Sequence, residues 1–188
     1  MNGVMSSVFL GLDVEEASRE YATTAPFPHA VLHDVIDPDC LAEAIRSFPE
    51  VDGPHWTNYL HVNERKFGNA RYETWPEPLQ RLADQLMSPE FVAFLERLTG
   101  ISDLQPDPSF DGGGLHRSER GGFLNVHADY SKHHVHADWR RRVNVLLYLN
   151  DEWDEAWGGH LELWSADMRT KERAVPPFGN TMIIFSTT

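Results

Sequence analysis

The chain has 188 residues, carries 29 acidic against 16 basic side chains for a formal net charge of −13, and is 41% hydrophobic. Its mean hydropathy of −0.44 and its size suit one globular domain, not a disordered chain, and no run approaches the roughly 20 apolar residues of a membrane span. The acidic balance argues against nucleic acid, whose phosphates need a basic surface, and the single Cys40 excludes an intrachain disulfide or a cysteine-built zinc site.

Met1–Leu10 has neither the basic nor the apolar segment of a signal peptide, so a cytoplasmic protein is expected. Val14–Tyr21 reads as a short helix and Phe27–Leu32 as a short strand, with Pro28 at its edge. Asp37-Pro38 is an N-cap followed by a first-turn proline, and predicts a helix over Pro38–Phe48. Glu77–Met87 carries Leu79, Leu82, Ala83 and Leu86 at helical spacing. A further helix opens at Ser88-Pro89-Glu90, carries Phe91, Phe94, Leu95 and Leu98, and stops at Gly100.

Beyond about Asp107 the character changes. Gly122–Tyr130 reads as a strand, Ser131–Trp139 as a polar, His-rich mobile loop, and Arg142–Asn150 as a strand buried on both faces. His160–Trp164 follows a Gly-Gly turn, and Thr181–Ser186 is a second buried strand. A mainly helical 1–106 followed by a strand-rich 107–188 predicts a single α+β domain whose sheets form a sandwich or barrel.

The chemistry centres on His127-Ala128-Asp129. If this segment is a strand, residues i and i+2 project from one face, bringing an imidazole and a carboxylate together as two corners of a two-histidine, one-carboxylate iron site. On its own, such a pair is most often an ordinary surface pair. The context is more specific: Gly121-Gly122-Phe123-Leu124-Asn125-Val126 before the pair, then Tyr148-Leu149-Asn150, Trp157-Gly158-Gly159-His160-Leu161, and Phe178-Gly179-Asn180.

In order and spacing these motifs resemble the prolyl-4-hydroxylase-like branch of the Fe(II)- and 2-oxoglutarate-dependent oxygenases, strongly over Gly112–Ser186. The resemblance implies a double-stranded β-helix, or jelly-roll barrel, with the N-terminal helices packed outside. It implies Fe(II), 2-oxoglutarate as cosubstrate, L-ascorbate to rescue oxidised iron, and hydroxylation of an unactivated C–H bond. By the same resemblance His127 and Asp129 hold iron, Tyr148 hydrogen-bonds the distal carboxylate of 2-oxoglutarate, and Leu146 and Leu161 wall the cosubstrate pocket. His116 and Asn144 are candidates for the substrate side.

The substrate expectation is a prolyl or peptidyl residue. A free amino acid or small molecule is the alternative, as is a barrel that binds a metal or ligand without turnover. The family's third histidine and its cosubstrate-anchoring cation fall after the strand that begins at Thr181, and Thr181–Thr188 contains no His, Lys or Arg. The third ligand is therefore expected beyond Thr188, with C-terminal strands missing and an open sheet edge beside Thr181–Ser186.

Overall fold

The computed structural model describes residues 13–187; the Met1–Leu10 stretch read above for a signal peptide lies outside them. The N-terminal half is helical where the capping signals put it. Asp13 caps α1 (Val14–Thr23) and Asp37 caps α2 (Pro38–Ser47), each carboxylate accepting two backbone N–H bonds. After α3 (Glu77–Leu86), Ser88 caps α4 (Pro89–Thr99), which ends on Gly100 at φ +70°. α1 packs on α4, and α2 on α3. No helix among the described residues is long and apolar enough to cross a membrane.

The strands form three antiparallel groups. β1 (His29–His33), β6 (Val143–Tyr148) and β9 (Thr181–Ser186) make one sheet with β9 in the middle. β2 (Thr57–His61) and β3 (Glu64–Asn69) form a hairpin, and β3 takes β4 (Leu115–Arg117) and the two-residue β5 (Phe123–Leu124) on its other edge. β7 (Leu161–Trp164) and β8 (Lys171–Val175) make a separate hairpin. The β2–β3 hairpin, β4 and β8 have no clear apolar alternation, and the sequence did not reveal them.

The three-stranded sheet has two distinct faces. Ala30, Leu32, Val143, Val145, Leu147, Met182 and Ile184 point at the helices and join the main apolar core. Register places His29, Phe185 and Asn144 on the opposite face, followed by Val31, Ile183 and Leu146, then His33, Thr181 and Tyr148. Over this second face lies the β7–β8 hairpin, whose Arg173 Nη1 donates to His29 Nε2 at 2.7 Å. With layers on both sides, Thr181–Ile184 are all buried, as expected of a central strand.

Several expectations need correcting here. The strand predicted over Gly122–Tyr130 ends at Leu124. The β2–β3 hairpin turns at Val62-Asn63, so β3 offers nothing to pair with beyond Glu64. Instead Asn125 closes the ladder, its N–H donating to Asn63 O at 2.8 Å and its side chain to Val62 O at 3.2 Å. The strand predicted over Arg142–Asn150 is shorter, Val143–Tyr148, and half-exposed because it pairs only with β9. Among the described residues the open edges of this sheet therefore run along β1 and β6, not beside Thr181–Ser186, which is paired on both sides.

The Phe-Gly-Asn motif acquires a structural reason. A Cβ on Gly179 would collide with the Asn150 carbonyl. Asn180, at φ +58°, turns its amide onto Ile36, accepting from Ile36 N–H and donating to Ile36 O, both at 2.8 Å. Ile36 is fully buried, so this side chain satisfies backbone groups that water cannot reach.

Candidate metal centre

His127 and Asp129 lie in unpaired backbone beyond β5, yet their side chains converge. His127 Nε2 stands 3.3 Å from Asp129 Oδ1. The other imidazole nitrogen, Nδ1, is 2.8 Å from Asn125 O. A carbonyl only accepts, so Nδ1 carries a proton; in the neutral imidazole this leaves the Nε2 lone pair facing the carboxylate. Two electron-pair donors thus point at shared space. Their separation matches adjacent corners of a coordination sphere, about 3 Å for ligand distances of about 2.1 Å. Backbone anchorage of the distal nitrogen is the usual support of a ligating histidine. The donor set fits a divalent iron at two positions; among the described residues no third His, Cys, Asp or Glu completes a cluster.

The second carboxylate oxygen is held from β6. Asn144 Nδ2 donates to Asp129 Oδ2 at 2.7 Å, and Arg141 Nη1 lies 3.7 Å from the same oxygen. Asn144, expected on the substrate side, is thereby placed behind the Asp129 carboxylate. Sequence reasoning missed Arg141 entirely. A signal for Asn144 did exist: it is the one polar residue on the face of β6 that also carries Leu146 and Tyr148.

Those two residues follow Asn144 along the same face, so Tyr148 lies about 13 Å further on at roughly 3.3 Å per residue. Burial pushes the Tyr148 phenol up to about 12, so it stays a neutral hydrogen-bond donor near neutral pH. Leu161 shares its face of the β7–β8 hairpin with Leu163, Arg173 and Val175, the face that meets His29. Leu146 and Leu161 thus belong to facing layers. His116 sits on β4 opposite Gly68. Its ring reaches solvent from a recess, where desolvation by the surrounding protein and then the Lys66 charge lower its pKa. No bond of His116 to His127 or Asp129 is formed.

The Ser131–Trp139 segment is not the unfixed loop expected from its polarity. Arg141 N–H donates to Ser131 O at 3.0 Å, His133 Nδ1 accepts from Val135 and His136 N–H, and His134 Nδ1 lies 2.8 Å from Asp111 Oδ1. The rings of His133, His136 and Trp139 pack together. A cavity of about 550 Å³ opens nearby between α3, α4 and the helix-facing side of β6. Neither His127, Asp129 nor Tyr148 lines it, but Arg141 and Asn144, the partners of the Asp129 carboxylate, do.

The helix-backed antiparallel sheet and the converging His127–Asp129 pair can be set beside known proteins. Residues 113–188 match the family model described as the 2OG-Fe(II) oxygenase superfamily. The chain is 25% identical over 191 residues to prolyl 3,4-dihydroxylase OGFOD1 of Ostreococcus tauri, a match that covers 92% of this chain and 35% of that protein. It spans, then, about a third of the length of that curated relative. A crystal structure of a Pseudomonas putida prolyl-4-hydroxylase shares the fold, with TM-score 0.59 and 18% identity over 93% of this chain and 86% of that one. Over residues 113–188 the chain is thus similar to the 2OG-Fe(II) oxygenase superfamily.

Proposed function

We propose that this protein is an Fe(II)- and 2-oxoglutarate-dependent dioxygenase that hydroxylates a prolyl residue of a polypeptide. The observation that carries the reading is the convergence of His127 Nε2 and Asp129 Oδ1 at 3.3 Å, each with its remaining polar atom engaged behind it. Iron held there, with 2-oxoglutarate and O2, supplies the oxidising power for C–H hydroxylation, and ascorbate keeps it ferrous.

The chain's own residues bind and orient. Asn125 fixes the His127 tautomer, Asn144 and Arg141 fix the carboxylate, and Tyr148 donates its neutral hydroxyl to the cosubstrate. Leu146 and Leu161 shape the pocket and exclude water, and His116 faces the substrate side. A jelly roll around this space is the arrangement this reading expects. A prolyl substrate is supported by the names of both relatives. A polypeptide is further supported by exposed Leu60 and Phe123, which pair across Arg65 on one face of the sheet that leads into His127, since neighbouring exposed apolar side chains mark interaction surfaces.

The test is mass spectrometry of proline-containing peptides incubated with the protein, Fe(II), 2-oxoglutarate and ascorbate. The proposal expects one added oxygen on proline with matching succinate, and none on an alanine-substituted peptide. Oxygen added only to free amino acids would refute the peptidyl substrate, and no succinate under any condition would refute the oxygenase reading.

A further inference from the structure

Asp129 is the ligand with the least local support. It lies beyond the last residue of β5, so no strand pairing fixes its backbone. A carboxylate on such a segment has two equivalent oxygens and a free rotor, and would spend much of its time turned away from His127. Yet its side chain is 19% exposed, against 48% for His127. Something outside the segment holds it.

That support comes from around the start of β6. Asn144 Nδ2 donates to Oδ2 at 2.7 Å. Arg141, its side chain 15% exposed, brings Nη1 to 3.7 Å from the same oxygen. The guanidinium is itself fixed on three sides. Its carbon stacks 4.2 Å from the centroid of the Tyr130 ring, and its Nη2 donates to Tyr130 Oη and to Asp111 O, both at 2.7 Å. Tyr130 Oη in turn donates to Asp111 O. The side-chain Oδ2 of Asp111 accepts from the His134 backbone N–H at 2.8 Å, so the Ser131–Trp139 segment is anchored through the same residue, by its carboxylate. A planar, doubly hydrogen-bonded, stacked guanidinium loses little freedom in that position, whereas a lysine could not reproduce the fork.

We propose that Arg141 and Asn144 are the positioning residues of the metal centre: together they hold Asp129 Oδ2, leaving Oδ1 aimed at the position that His127 Nε2 also faces. This rests on the reading of His127 and Asp129 as iron ligands. Neither residue touches the metal. Each acts on one oxygen of one ligand, so their effects on metal affinity are coupled. Asn144 supplies the direct hydrogen bond, and Arg141 supplies charge and the link to Tyr130, Asp111 and the His-rich segment.

The experiment measures Mn(II) binding to the full chain by electron paramagnetic resonance, with Co(II) absorption as a second readout of ligand geometry and thermal unfolding as a check of the fold. Asn144→Ala and Arg141→Gln should each raise the Mn(II) dissociation constant by about 10- to 100-fold, the usual effect of removing a partner behind a metal ligand. Both should alter the Co(II) spectrum. The double variant should lose much less than the product of the two, because both partners act on the same oxygen. Arg141→Lys should not restore the parent affinity.

Asp129→Ala separates the two levels of the argument. Loss of Mn(II) binding in Asp129→Ala, with parent affinity and parent Co(II) spectrum in both Asn144→Ala and Arg141→Gln, would overturn the positioning role and leave the metal site standing. Parent affinity in Asp129→Ala, or no binding by the parent chain, would overturn the metal site itself. Should Arg141→Gln fail to fold, Asn144→Ala on the half-exposed β6 decides the question alone.

Discussion

Replacing Asn180 by alanine tests how the sheet that carries Tyr148 is fastened to the helices. Asn180 accepts from Ile36 N–H and donates to Ile36 O, both at 2.8 Å, and Ile36 is fully buried. Alanine strands both backbone groups, at about 1–3 kcal/mol each. It must also sit at φ +58°, which costs a non-glycine residue about 1–2 kcal/mol and asparagine less. The sum is a loss of roughly 4 kcal/mol, or a midpoint lower by roughly 8–16 °C for a chain of this length. Thermal unfolding of the parent, Asn180→Ala and Asn180→Gly measures it. The glycine variant loses the same bonds but relieves the backbone, so it should be about 1 kcal/mol milder. A loss below about 1 kcal/mol in Asn180→Ala would refute the reasoning, because one stranded buried group alone should cost that much.

Tyr148→Phe removes one hydrogen bond to a charged cosubstrate, worth about 1.5–3 kcal/mol, and should raise the KM for 2-oxoglutarate by at least about 10-fold. An unchanged KM would reduce Tyr148 to packing. His29 gives a pH dependence. Burial first, and the Arg173 charge besides, hold its pKa below the ordinary value, so the folded protein resists a proton that the unfolded chain takes up near pH 6.5. The stability it contributes is complete above that pH and is lost as the pH falls towards the folded pKa. Unfolding midpoints from pH 8 to 5 should therefore decline more steeply for the parent than for His29→Gln, and parallel declines would exclude His29 as the cause.

Helix positions were legible because their signals are local. Asp37-Pro38, Ser88 and Gly100 each act within one turn of their own residue. Thr181–Ser186 was legible as a continuous apolar run. Gly122–Tyr130 was misjudged as one strand because its length depends on a hairpin 60 residues earlier, whose turn at Val62-Asn63 ends the partner strand. The His-rich Ser131–Trp139 segment looked unfixed for a similar reason: its order comes from Asp111, which no spacing rule links to His134. The His127–Asp129 pair was visible as a motif, but the strand argument offered for it was not the cause of their meeting. Asn125, Asn144 and Arg141 bring the two side chains together, and of these only Asn144 had been singled out.

The central claim is that His127 and Asp129 hold an iron that also binds 2-oxoglutarate. Anaerobic titration of the protein with Fe(II), with and without 2-oxoglutarate, reads this directly as a visible metal-to-ligand charge-transfer band. The account predicts a band that needs both additions and is abolished by Asp129→Ala with the fold retained. No band in the parent protein, or an equal band in Asp129→Ala, would contradict it.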